Sequence, residues 1–284
     1  MIKIKFRRFI ARYFGWLAKI YFSVFIHLQL KFNDKPIILI LTPGKVGSST
    51  LYFNLKQQLN QPIFHIHRLS KKGIEKSKKD HMDSDRKSLP LHLIISEILS
   101  REININKDRI KIVTIIREPI SRYVSSFFQN IEFYKNSIEK SDLTIDINGS
   151  LGFLYSNFNE QICIDLADWF RSEIEEPLNL NILDIDTNSK YYFGNYNSFF
   201  ILLRLEDINS NWQHILFLLT GEKINIPMKN FNIGDKKYYS DSYNKVKKDL
   251  KIEPKVFDNI TAHVFYKKFY SDLIPSSKEK WVRN

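Results

Sequence analysis

Two short segments of the sequence combine cations, hydroxyl groups and glycines in arrangements that suit phosphate binding. The first segment is Thr42-Pro43-Gly44-Lys45-Val46-Gly47-Ser48-Ser49-Thr50. A glycine-containing turn that leads into a helix points several backbone N–H groups at one spot, and this favours a phosphate. Lys45 adds a cation, but it precedes the second glycine, whereas a Walker A loop ends in Gly-Lys-Ser/Thr. The order of residues therefore disfavours an ordinary ATP or GTP hydrolase.

The second segment is Ile115-Ile116-Arg117-Glu118-Pro119-Ile120-Ser121-Arg122-Tyr123-Val124-Ser125. Pro119 suits the first turn of a helix, so Arg117 would end a strand and Ser125 would lie about two turns into the helix. A guanidinium and a hydroxyl can together hold a second phosphate. Either segment alone is compatible with a simple turn or a surface ion pair. Their occurrence on two buried strands predicts a site for two phosphates.

Histidines between the two segments are candidates for a general base, because an imidazole exchanges protons near neutral pH. His65 and His67 lie on one face of a predicted strand, since side chains alternate along a strand. We predict His67, nearer the carboxyl end, as the first candidate, with His65 second and His92 third. The alternative is a hydrogen-bonded histidine without a catalytic role.

Alternating strand and helix patterns must position these residues. Apolar runs predict strands over residues 36–42, 62–67, 109–116 and 198–205. Helical patterns occupy residues 49–59, 91–99, 120–133, 153–174 and 212–219. Strands that alternate with helices predict an α/β fold with a central parallel sheet flanked by helices. In such sheets ligands bind at the carboxyl edge of the strands.

Composition limits the class of protein and its partners. A chain of 284 residues can bury one large core, and its net charge of +12 indicates an anionic partner. Nucleic acid, an acidic membrane, an acidic glycan and a polyphosphorylated nucleotide all qualify. The single cysteine, Cys163, excludes a disulfide within the chain and a cysteine metal cluster. It lies in an apolar helical pattern and is predicted to be a core residue.

The first 30 residues mix bulky apolar side chains with cations, and the longest uncharged run, residues 20–30, is shorter than the roughly 20 residues needed to cross a bilayer. Residues 1–33 are predicted to form a basic amphipathic helix on an anionic membrane surface. The alternative is a helix packed on the body of the protein. The expected location is the cytoplasm, with peripheral contact at the inner face of the membrane.

The two phosphate segments resemble the signatures of sulfotransferases, which use 3′-phosphoadenosine-5′-phosphosulfate (PAPS). The first looks like their 5′-phosphosulfate loop, Pro-Lys-x-Gly-Ser/Thr-Ser/Thr, with Gly44 inserted. The second resembles their 3′-phosphate signature, an arginine followed eight positions later by a serine. The resemblance implies a P-loop NTPase-like sulfotransferase fold over residues 34–284 and no metal. It assigns the 5′-phosphosulfate to Lys45, Gly47, Ser48, Ser49 and Thr50, and the 3′-phosphate to Arg117 and Ser125.

A second resemblance covers roughly residues 36–273. Residues 117–130, 168–173, 203–207 and 232–240 are similar to a bacterial group of sulfotransferase-like capsular polysaccharide synthesis proteins, known for an Asn-Lys-Trp-Tyr-Ser segment. Here that segment reads Asp235-Lys236-Lys237-Tyr238-Tyr239-Ser240. The resemblance implies that Lys236 and Lys237 contact a phosphate or an acidic acceptor, with Lys236 assigned to the donor. It also implies that the partner is a carbohydrate acceptor rather than a nucleic acid. An exposed basic turn is the alternative for this segment.

Two other functions remain compatible with the sequence alone. A P-loop kinase-like phosphotransferase would need Mg²⁺ ligands and a Walker lysine. A non-enzymatic basic protein that binds nucleic acid or an anionic glycan would show steeply salt-dependent binding without preference for PAPS.

Overall fold

The computed structural model describes residues 15–83, 89–102, 109–131, 140–141, 144–186, 192–196, 198–229 and 238–283. The chain divides into two compact units. The first comprises Met1–Ile116 and Trp169–Lys229, and the second comprises Arg117–Asp168 and Asn230–Asn284. The predicted domain boundary between residues 33 and 34 stays a prediction.

The strands, in chain order, are β1 Ile37–Leu41, β2 Ile63–Ile66, β3 Ile110–Ile116, β4 Lys140–Ser141, β5 Thr144–Ile145, β6 Tyr192–Tyr196 and β7 Ser198–Arg204. The first unit contains a five-stranded sheet in the order β2-β1-β3-β7-β6. Strands β2, β1, β3 and β7 are parallel, which confirms the predicted parallel sheet. Strand β6 is antiparallel to β7 at the edge and was not predicted. It contains Gly194 and Asn195, which are depleted in strands.

The helices, in chain order, are α1 Gly15–Phe32, α2 Ser48–Gln58, α3 Lys71–Asp83, α4 Leu91–Glu102, α5 Pro119–Gln129, α6 Ile147–Asn157, α7 Gln161–Phe170, α8 Ile208–Thr220, α9 Ser240–Asp249, α10 Pro254–Ala262, α11 Val264–Tyr270 and α12 Ile274–Trp281. The prediction of one helix over residues 153–174 was wrong. Phe158 is extended, and the Asn159 side chain accepts the N–H of Gln161 at 2.8 Å, so the chain stops and restarts between α6 and α7.

The apolar core of the first unit lies between one face of the sheet and helices α2 and α8. Its members are buried residues of β1, β2, β3 and β7, together with Val46 from the loop after β1, packed against buried residues of the two helices. Burial of each such side chain contributes about 1.5–3 kcal/mol. Helix α8 ends at Thr220, and Gly221 follows it as the C-cap with a φ of 76°. Among the described helices, none is long and apolar enough to cross a membrane.

In the second unit, Glu118 begins α5. Its carboxylate is buried and accepts the N–H groups of Ile120 at 3.0 Å and Ser121 at 2.8 Å, while the Tyr266 hydroxyl donates to it at 3.2 Å. Pro119 occupies the first turn, as predicted. Cys163 is fully buried, and burial, with the nearby Glu118 and Glu160, raises the pKa of its thiol to about 12. Its predicted role as a core residue is confirmed.

Candidate functional site

The parallel strands of the first unit end together at one edge of the sheet. Leu41, the last residue of β1, pairs with Ile66, the last residue of β2. Ile116, the last residue of β3, pairs with Arg204, the last residue of β7. The loop after β1 and the histidine after β2 therefore start side by side, at the edge where ligands bind in open α/β sheets.

The loop after β1, residues 42–47, has an unusual backbone. Lys45 has a φ of 72° and Gly47 a φ of 74°, both in the left-handed region. That conformation costs a non-glycine residue on the order of 1–3 kcal/mol, and residues that tolerate it cluster at binding sites. Val46 lies between them and is fully buried in the core, which anchors the loop.

Helix α2 begins directly after this loop. Gly47 occupies the N-cap position and has no side chain to accept from the first N–H groups of the helix. Those groups carry partial positive charge and suit an anion. Ser48 is buried, Ser49 and Thr50 are half-buried, and the N–H of Thr50 donates to the Gly47 carbonyl at 2.9 Å. The structure thus gathers Lys45, Gly47 and the three hydroxyl residues around one helix start.

Steric packing requires a glycine at one of the two glycine positions in the loop. A Cβ at Gly47 would lie 2.6 Å from Cδ1 of Leu205, and the positive φ would strain any other residue. At Gly44, by contrast, an added Cβ would meet nothing within 4 Å. The glycine that distinguishes this loop from the sulfotransferase pattern is therefore not required by packing.

The predicted histidines form a cluster beside the loop. The ring centroids of His65 and His67 lie 4.9 Å apart, and those of His67 and His92, from α4, lie 5.3 Å apart. Nδ1 of His67 is 2.8 Å from the carbonyl oxygen of Thr42. Because a carbonyl only accepts, Nδ1 carries the proton and Nε2 carries the lone pair. His67 is thus bonded to the first residue of the loop.

Burial keeps these imidazoles neutral. It lowers the pKa of His65 to about 3, with help from His67 and His92. It lowers the pKa of His92 to about 4, with help from His67 and His81. The pKa of His67 is also lowered by burial, and by Arg68, although the hydrogen bond to Thr42 opposes the shift. A neutral His67 with its lone pair on Nε2 can accept a proton at neutral pH.

Two side chains that sequence reasoning did not assign to the site hold the end of β2. The Trp169 indole N–H donates to the His67 carbonyl at 3.0 Å. Glu173 is fully buried in a π-helical turn, Arg171–Glu175, that continues α7. Its carboxylate accepts the N–H groups of Leu69 at 2.6 Å and Ser70 at 2.9 Å. The available signal was an acidic residue in an apolar helical pattern, which indicates a buried carboxylate with partners.

Arg204 is a further cation at this edge that the sequence did not identify as a site residue. It is buried, and its Nε donates to Asp207 Oδ2 at 2.5 Å. Arg204 is the last residue of β7, and Asp207 ends the turn Leu205–Asp207, which also supplies the Leu205 side chain beside Gly47. Arg204 therefore helps to fix the wall against which Gly47 packs.

The remaining predicted residues lie in the second unit or outside the described residues. Arg117 follows the last residue of β3 in the chain, and its Nη2 lies 3.4 Å from the Tyr243 hydroxyl. Ser125 is half-buried in the middle of α5. Lys236 and Lys237 lie outside the described residues, so their predicted contacts stay predictions.

A protein-family model matches part of the chain. Residues 142–271 match a family model, NKWYS, described as "Putative capsular polysaccharide synthesis protein". The match includes Trp169, Glu173 and Arg204 and begins after both phosphate segments. It is narrower than the resemblance over residues 36–273 expected from the sequence. No curated protein and no solved structure gave a match.

The two loop glycines give a matched test of the loop geometry. We expect Gly44→Ala to leave the unfolding midpoint within about 2 °C of wild type, because the added Cβ meets open space. We expect Gly47→Ala to lower stability by about 1–3 kcal/mol, because strain and a clash with Leu205 add up. Thermal unfolding followed by circular dichroism measures both. Equal midpoints for the two variants would contradict this loop geometry.

The buried histidines predict a stability that falls in acid. The unfolded chain binds protons at an ordinary histidine pKa near 6.5, whereas folded His65 resists protonation down to about pH 3. The contribution of neutral His65 to the free energy of unfolding is therefore fully present above pH 6.5. It is lost progressively as the pH falls below 6.5, at up to about 1.4 kcal/mol per pH unit. We expect His65→Phe to unfold in urea with a weaker pH dependence between pH 7 and 5 than wild type.

The control is His214→Phe, which removes an exposed histidine of α8. It should retain the pH dependence of the wild-type protein. A slope for His65→Phe equal to that of the control would show that His65 is not the protected group.

Proposed function

We propose that the protein is a PAPS-dependent sulfotransferase that transfers a sulfuryl group to a carbohydrate hydroxyl in the synthesis of a capsular or other cell-surface polysaccharide. The observation that carries the proposal is the hydrogen bond between His67 and Thr42. It joins a neutral imidazole to the first residue of a left-handed, glycine-containing loop at a helix start. A phosphate site and a proton acceptor thus share one rigid frame.

The residues of the loop fit a bound phosphosulfate. Thr42 Oγ1 is buried and has no hydrogen-bond partner among the described residues. A buried hydroxyl without a partner costs about 1–3 kcal/mol, so an incoming oxygen atom would relieve that cost. The open start of α2, with its partial positive charge, suits the same anion. As part of the proposal, the fold is P-loop NTPase-like, and Arg117 and Ser125 of the second unit bind the 3′-phosphate.

The proposed reaction is an in-line displacement at sulfur. PAPS supplies the sulfuryl group as a mixed anhydride of sulfate and phosphate. His67 Nε2 accepts the proton of the acceptor hydroxyl while the new S–O bond forms. Lys45 stabilises the charge on the phosphate oxygen as its bond to sulfur breaks. The products are a sulfate ester and 3′,5′-adenosine bisphosphate.

The family match supports the part of the proposal that makes a carbohydrate the acceptor. Its description names capsular polysaccharide synthesis, and the matched segment supplies Trp169 and Glu173, which hold the His67 turn. The matched residues thus contribute to the same site as the phosphate loop. A polysaccharide hydroxyl, which the transfer converts to a sulfate ester, is the acceptor that joins the two observations.

Binding of 3′,5′-adenosine bisphosphate tests the donor site. We expect calorimetric titration to show a higher affinity for 3′,5′-adenosine bisphosphate than for AMP or ATP. Lys45→Gly should weaken it by about 10- to 100-fold, because a charge-assisted contact is lost while the left-handed backbone is kept. Arg117→Ala should remove the preference for the 3′-phosphate. Lys255→Ala, at an exposed lysine of α10, is the charge control.

Equal binding of ATP by the wild-type protein would reject the donor assignment. It would favour the kinase-like alternative. Binding of all anions with a steep salt dependence would favour the non-enzymatic alternative.

His67→Asn tests the proposed base. The asparagine amide can still donate to the Thr42 carbonyl, but the Nε2 lone pair is gone. We expect adenosine bisphosphate binding within threefold of wild type and sulfuryl transfer reduced by at least ~100-fold. Transfer of ³⁵S from labelled PAPS to a panel of polysaccharides measures the rate. Near-normal transfer by the variant would assign the base elsewhere.

A further inference from the structure

Helix α1 is fixed to the first unit by one of its faces. Ala18, Phe22, Ile26 and Leu30 repeat every four residues and are all buried. This face packs on α4. Lys19 of α1 forms an ion pair of 2.8 Å with Glu97 of α4, which also binds Lys78 at 2.6 Å and Arg101 at 3.3 Å. The orientation of α1 on the unit is therefore set by packing and by charge.

The opposite face of α1 is also apolar and lies in solvent. The exposed fractions are 67% for Trp16, 55% for Ile20, 54% for Val24, 45% for Leu28 and 73% for Phe32. These residues again repeat every four positions, and Leu17 and Tyr21 widen the row. We call this set of seven residues the outer row. Large contiguous apolar surfaces on folded proteins mark interaction sites.

The charge of the segment selects the partner. Residues 1–33 contain seven cations and no acidic residue; Lys19 pairs with Glu97, and the others are Lys3, Lys5, Arg7, Arg8, Arg12 and Lys31. Because the first 33 residues carry only positive charge, two such segments repel each other, which opposes pairing of two copies of the chain. An anionic surface with an apolar interior satisfies both the cations and the outer row.

We propose that the outer row of α1 inserts at the headgroup level of an anionic phospholipid bilayer while its inner face stays packed on α4. The sequence alone left membrane contact and packing on the body as alternatives. The two faces of α1 make them compatible, because each has its own set of apolar residues. The proposal does not depend on the donor or on the reaction.

Cosedimentation of the full chain with vesicles tests the proposal. The probes are vesicles of phosphatidylcholine alone and vesicles of phosphatidylcholine with about 30 mol% of the anionic lipid phosphatidylglycerol. We expect binding to the anionic vesicles only, weakened by raised salt. The variant Ile20→Ser/Val24→Ser/Leu28→Ser should bind at least tenfold more weakly, because it removes apolar area without changing charge.

The matched control is Met82→Ser/Phe217→Ser/Val264→Ser, which removes three exposed apolar residues elsewhere. It should bind vesicles like wild type. Equal binding by the outer-row variant, or no binding by wild type, would overturn the proposal. A wild-type dimer that the outer-row variant converts to a monomer would overturn it too, since a second copy would then cover the row. Far-ultraviolet circular dichroism and the thermal unfolding midpoint, measured in parallel, show that each variant is folded whether or not it binds a nucleotide.

Discussion

A carboxylate without access to water must be supplied with hydrogen bonds, and the first unit is organised around one such group. Glu173 receives two backbone N–H groups, a hydroxyl from Ser70 and the guanidinium of Arg68. Removing such partners costs about 3–5 kcal/mol in comparable buried pairs. The turn that follows β2 is therefore held in one conformation. A Cβ at Gly73, in the next helix, would overlap the carboxylate, so even α3 is adapted to it.

That fixed turn positions His67. His67 is the residue just before the turn, and its carbonyl and ring are each held by a separate partner, Trp169 and Thr42. The Thr42 N–H in turn donates to the Ile66 carbonyl at 3.2 Å. Hydrogen bonds join the loop after β1 to β2 and His67, and the short backbone stretch from His67 to Ser70 joins this set to the bonds of Glu173. Pre-organised groups of this kind lower the cost of arranging charge during a reaction.

The sequence predicted the parts of this set that have local signatures. Buried parallel strands are continuous apolar runs, so β1, β2, β3 and β7 could be placed within one or two residues. The loop residues and both histidines could be placed at a strand end for the same reason. Glu173 could not, because its partners lie about a hundred positions earlier in the chain. Strand β6 has no apolar pattern of its own, and the break between α6 and α7 depends on one asparagine side chain.

Helix α4 contacts both α1 and the histidine cluster. Its Glu97 holds α1, and its His92 ring contacts His67. Packed helices lie about 8–10 Å apart, so a single helix layer separates the outer-row helix from the histidines. If α1 rests on a bilayer, the proposed transfer would take place at a fixed, short height above the lipid headgroups. An acceptor carried on a lipid would then reach the site by diffusion in two dimensions.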